Sequence, residues 1–126
     1  MILAHWTYSK QEWKAFLKAG KKQQGIIPYF MHLLFSVAAR RIPEIKITPE
    51  LVSIGNDQQY FSSGRHSITD IHIREEGLIN IIEIGYECNN VISPKRREIK
   101  IPVPKGKLRE AFEVEERLLS AAALGQ

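Results

Sequence analysis

The sequence predicts an α+β fold: an N-terminal helical segment, an antiparallel meander sheet of about five to seven strands, and a C-terminal helix that closes it. Three observations carry the prediction. A capping signature near residue 9 opens a run with apolar residues at helical spacing; from Pro43 to Val103 the apolar period becomes two, with turn residues between runs; and from Lys107 the period is helical again. At 126 residues the chain has single-domain size. It divides into a helical segment over 1–42 and a sheet with its closing helix over 43–126.

In "YSKQEW", Ser9 caps, Glu12 reaches back three residues, and Tyr8 and Trp13 sit where a hydrophobic staple closes. A helix is predicted from Lys10 to about Ala19, with Trp13, Phe16 and Leu17 on one face and Gly20 as its stop. The preceding "HWTY" reads as a short edge strand. Next, Ile26 to Ala39 forms an apolar run between Lys21–Lys22 and Arg40–Arg41. A helical crossing of a bilayer needs about 20 residues, so this run is too short to span. It reads as a helix buried against the domain or a partner subunit, as an interfacial membrane helix with Tyr29, Phe30 and Phe35 at the headgroup boundary, or as irregular structure.

"EIKITPELVSIGNDQQYFSS" gives a strand, a turn over Thr48–Glu50, a second strand, a hairpin turn at Gly55-Asn56-Asp57, and a third strand. "HSITDIHIREEG" gives another strand and a Glu76-Gly77 turn. The following strand carries Ile79 and Ile81 on one face and Leu78, Ile82, Ile84 and Tyr86 on the other, the pattern of a strand covered on both sides. In "REIKIPVPKGK", Ile99, Ile101 and Val103 share one face while Glu98, Lys100, Pro102 and Pro104 share the other. Two outward prolines, unable to donate to a ladder, mark an edge strand or one leaving the sheet, and block further pairing on that side.

The last helix, about Lys107 to Ala123, has an apolar stripe of Leu108, Ala111, Phe112, Val114, Leu118, Leu119 and Ala122. Glu115 falls near the middle of that stripe. Burying it unpaired would cost several kcal/mol, roughly, so a cationic or hydroxyl partner, or a position at the helix margin, is expected.

Cys88 is the single cysteine, which excludes an internal disulfide, and the opening residues lack the apolar run of a secretory signal; a reducing cytoplasmic setting is expected, free or at the inner face of the membrane. The net charge of +4 is segregated. Residues 10–22 hold five lysines against Glu12, residues 44–87 hold eight acids and three bases, and 95–109 hold Lys95, Arg96, Arg97, Lys100, Lys105, Lys107 and Arg109 against Glu98.

"KITPELVSIG", "SITDIHIREEG", "LINIIEIGYE" and "IKIPVPKGKLREAFEVEERL" resemble the C-terminal part of bacterial YcxB-like domains, and "YSKQEWKAFL" resembles that family's entry segment. The resemblance covers about residues 44–120. It implies a pleckstrin-homology-like half barrel closed by the terminal helix, and it carries over no functional residue. In that family the entry segment usually precedes a pair of membrane-spanning helices, whereas this chain has one short apolar run.

Candidate chemistry is sparse. His66, Asp70 and His72 fall on one face of a strand by even spacing, but the histidines lie about 20 Å apart along an extended strand, so no metal site is assigned. No spacing pairs Cys88 with a particular histidine, and "PKGK" lacks the surroundings of a phosphate loop. The basic segment is the strongest functional feature, with Lys95, Arg96 and Arg97 in a loop, Lys100 on the outer strand face, and Lys105, Lys107 and Arg109 at the turn into the helix. It fits an anionic partner or a solvated, aggregation-resistant edge. The expectation is therefore a non-enzymatic binding or interaction module without cofactor. Its partner is a protein or a second copy. The alternatives are a peripheral protein that sets 26–39 and the 95–109 bases on anionic lipid, and a nucleic-acid-binding protein. Nucleic acid is the weakest of these, because no aromatic interleaves the bases and acids dominate the neighbouring strands.

Overall fold

The computed structural model describes residues 1–22, 42–62, 66–77, 79–88 and 95–124. The run over 26–39, with Tyr29, Phe30 and Phe35, lies outside the described residues, as does Leu78. The elements in order are β1 (Ala4–Trp6), α1 (Lys10–Lys22), β2 (Ile45–Ile47), β3 (Leu51–Ile54), β4 (Asp57–Tyr60), β5 (His66–Glu76), β6 (Ile79–Cys88), β7 (Lys95–Val103) and α2 (Leu108–Leu124). The fold is α+β, with two helices and two antiparallel sheets among the described residues: β1-β2-β3-β4 and β5-β6-β7.

The first sheet is built from short strands because turn residues interrupt the alternation every few positions. Thr48 closes the first turn, its hydroxyl accepting the Leu51 amide at 3.1 Å, and Gly55-Asn56 joins β3 to β4. Ile45, Ile47, Val52 and Ile54 all point into the core. The second sheet has long strands, paired from Glu76 opposite Ile79 to His66 opposite Cys88 with one shift of register between Ile68 and Asp70, and from Val103 opposite Asn80 to Lys95 opposite Cys88. The single bent layer expected from the sequence is thus two sheets. A side-chain bond links edge strand β4 of the first to central strand β6 of the second, the Gln59 amide donating to the Tyr86 hydroxyl at 2.8 Å.

The capping box at α1 forms as the spacing predicts. The Glu12 amide donates to Ser9 Oγ at 3.1 Å, and the Ser9 amide donates to Glu12 Oε1 at 2.9 Å. The Tyr8 and Trp13 rings pack as a tilted pair, 5.5 Å between centroids, the staple contact. The helix runs past Gly20 to Lys22; a helix-interior glycine costs only about 1 kcal/mol and does not by itself end a helix. α1 lies against β6 and buries Trp13 and Phe16 to 3% and 1% exposure.

This docking explains the doubly apolar β6. Ile82 and Ile84 face the core with Ile71, Ile99 and Ile101, while Ile79 and Ile81 on the opposite face are buried too. It also corrects the reading of the prolines. Among the described residues β7 is an edge strand, but Pro102 and Pro104 are buried, and the Tyr8 hydroxyl donates to the Pro102 carbonyl at 2.7 Å. Alternation assigned the face correctly; the chain entering α1 lies over it, with Tyr8 at Pro102 and Glu12 at Lys105.

Gly106, at φ 84°, makes the left-handed turn that a side chain would strain, and the chain then enters α2. α2 packs on β5 and β1, burying Ala111, Val114 and Leu118.

Candidate interaction surface

The polar and apolar groups that matter fall into three sets. The first lies on the face of β5-β6-β7 away from the core. Ile68 is opposite Tyr86 and Ile71 opposite Ile84, so Ile68 and Ile71 share a face although three residues apart; the ladder shifts register between Ile68 and Asp70. That bulge reverses the side-chain alternation. His66 therefore lies on the core side, its ring 5.9 Å from that of Tyr86, while Asp70 and His72 face outward. The three residues do not share a face, contrary to the even spacing. No group of three His, Cys, Asp or Glu suited to a metal ion occurs among the described residues.

Asp70 instead organises an ion-pair array. Its carboxylate accepts from Arg96 at 2.8 Å and from the Thr69 hydroxyl at 2.8 Å, and lies 3.0 Å from His72 Nε2. The Arg96 bond and then the Thr69 bond hold Asp70 below its ordinary pKa. Asp70 is on β5 and Arg96 on β7, so the pair reaches across β6, and the residue between them is Gly85. A Cβ at Gly85 would overlap the Asp70 carboxylate and stand 3.1 Å from Arg96 Nη2. Two positions along, buried Glu83 takes Arg74 at 3.1 Å from one side and Lys100 at 3.8 Å from the other.

The second set clasps α1 to the turn before α2. Glu12 uses its remaining oxygen to accept the Lys105 amide at 2.6 Å. The Ser9 amide foremost, then the Lys105 amide, lowers the Glu12 pKa against partial desolvation. Burial, reinforced by the Glu12 charge, pushes the Tyr8 phenol well above its ordinary value. Trp6 Nε1 donates to Glu110 at 3.1 Å and ties β1 to α2.

These contacts redistribute the basic segment. Lys95, Arg96 and Arg97 belong to β7 rather than a loop, because the strand continues its pairing with β6 up to Cys88 opposite Lys95. Arg96, Lys100 and Lys107 face carboxylates of Asp70, Glu83 with Glu98, and Glu110. Arg97, Lys105 and Arg109 are exposed. Arg96 and Arg97 emerge on opposite sides of β7 by alternation, so the cluster does not form one continuous patch.

The third set is the apolar stripe of α2. Within the α2 stripe only Ala111, Val114 and Leu118 are fully buried; Leu108, Phe112 and Leu119 are 37%, 51% and 43% exposed. They form a second stripe beside the buried one, with half-buried Glu115 between them. Glu115 has no hydrogen-bond or ion-pair partner among the described residues, so the predicted partner is not found and the position at the helix margin is. The signal available in the sequence was the width of the stripe: spread over seven positions, it exceeds what one sheet face can cover.

No protein-family model, curated protein or solved structure matches this chain. No described helix is long and apolar enough to cross a membrane.

Proposed function

We propose that this chain is a non-enzymatic interaction module of pleckstrin-homology-like type that meets a protein partner through the exposed stripe of α2. The order of elements supports the fold: a four-strand meander, a three-strand meander, then an amphipathic helix resting on strands of both. One observation carries the interaction reading. Phe112 stands half exposed between Leu108 and Leu119 on a helix whose neighbouring stripe already fills the core, and contiguous exposed apolar side chains of this kind mark contact surfaces. A protein is favoured over lipid or nucleic acid because Arg96, Lys100 and Lys107 already face carboxylates, with which a phosphate would have to compete.

The test is a photo-crosslinking amino acid placed at 112 or 119, with 58 on β4 as control, in cells that express the protein. Discrete protein adducts at 112 and 119, absent at 58, are expected. No adduct at either helix position above the control overturns the reading.

A further inference from the structure

The partner's identity rests on the α2 stripe being a contact surface, the reading proposed above. Leu108, Phe112, Glu115, Leu119 and Ala122 follow one another at steps of four, three, four and three, the spacing of a seam between two packed helices. Beside the seam, on the side away from the core, lie Arg109 and Glu116, both exposed and two turns apart. Opposite charges at this spacing on one flank have a particular consequence. When a second identical helix is laid antiparallel about a two-fold axis near the middle of the stripe, each arginine meets the other copy's glutamate, and both pairs form at once.

The geometry points to a second copy of this chain as the occupant of the α2 stripe, in an antiparallel α2–α2 contact about a two-fold passing near residues 113 and 114. Leu108 packs on Leu119 of the second copy, and Phe112 packs beside its Glu115. The guanidinium of Arg109 in one protomer lies within reach of both Glu115 and Glu116 of the other. That supplies Glu115 with the cation the described residues do not give it. A carboxylate within the seam weakens the contact while fixing its register, as single polar seam residues do. An anionic lipid surface fits the same stripe poorly, since Glu115 lies within it and Glu113 and Glu116 lie beside it. The stripe is small, so the dimer belongs to the weak, concentration-dependent class.

Sedimentation of the whole chain from about 10 µM to about 1 mM tests this. The expected result is a concentration-dependent rise from 14.5 kDa toward twice that mass. Phe112→Asp should abolish the rise while its circular dichroism is unchanged. Arg109→Glu and Glu116→Arg should each weaken association about tenfold or more, and the two changes in one chain should restore it to within about threefold of the parent. A mass of 14.5 kDa throughout, a dimer indifferent to Phe112→Asp, or a double variant weaker than either single variant would each overturn the inference. A strict monomer that still gives crosslinks at 112 to a different protein, or pelleting with anionic vesicles that Phe112→Asp removes, overturns the second-copy inference. The first of these leaves the protein-contact reading standing; the second replaces it with a membrane.

Discussion

The two helices are both amphipathic, and they spend their apolar faces differently. α1 buries its aromatics almost completely and is fastened at its first turn by Ser9, Glu12, the Lys105 amide and the Tyr8 hydroxyl. α2 buries an alanine, a valine and a leucine, and leaves Phe112 half in water. An apolar stripe thus records how much surface a helix offers, not how much its own domain uses. α1 offers an arc whose aromatics are used up where the helix lies against β6. α2 offers a wider arc, and the sheet strands beneath it occupy only one side.

Removing a large side chain from each helix puts the difference on an energy scale. Phe16→Ala should cost about 3–5 kcal/mol in urea unfolding, because a fully buried aromatic leaves a cavity. A loss below about 1 kcal/mol would mean that α1 is not part of the cooperative core. The outer face of the second sheet comes next. Gly85→Ala forces a methyl into the space that the Asp70 carboxylate occupies and should cost about 1–3 kcal/mol, as overpacking does. Asp70→Ala alone removes a partly exposed ion pair, worth under about 1 kcal/mol. In the Asp70→Ala background the Gly85 substitution should lose most of its cost, and a double-mutant cycle that shows simple additivity would sink this account.

Much of this was legible in the sequence because it is local. Ser9 and Glu12 are three residues apart, Gly55-Asn56 and Glu76-Gly77 lie between apolar runs, and each forms what its spacing dictates. What could not be read depends on contacts between distant segments. Nothing near Thr69 announces a bulge, yet that one inserted residue moves His66 to the face opposite Asp70 and His72. Pro102 and Pro104 have the parity expected of outward residues, but the segment that covers them starts some 95 positions earlier, at Tyr8. Gly85 gave no hint of its role, since the carboxylate it admits belongs to β5 and the guanidinium to β7. The α2 stripe was visible as a pattern; which part of it the sheets cover is a property of their curvature and breadth.

Between the helices stands Glu12, which belongs to one and holds the turn leading to the other. Glu12→Ala leaves the Ser9 and Lys105 amides without their acceptor and should cost about 1–2 kcal/mol at neutral pH, the scale of a lost helix cap. The sign of its pH dependence follows from the lowered pKa. The folded state holds the carboxylate more tightly ionised than the unfolded chain does, so the stabilisation is complete above the ordinary carboxylate range and disappears as pH falls through the folded value. Parent and variant should therefore converge in stability on acidification. Curves that stay parallel from pH 7 to pH 3, about the span of a carboxylate titration, would show that the charge does not contribute.

The smallest expected effect is the most informative about α2. Phe112→Ser deletes an aromatic ring at the centre of a helix, a change that in a core costs several kcal/mol. Here the ring is half solvated and stands outside the stripe of Ala111, Val114 and Leu118 that fills the core, so the loss in dilute solution should stay within about 0.5 kcal/mol. Unfolding measured at low and high protein concentration separates two sources of stability, because a contact between copies adds to the parent only when copies are abundant. The parent should gain stability with concentration and Phe112→Ser should not. A loss near that of Phe16→Ala at low concentration would make Phe112 a core residue and remove the contrast between the helices altogether.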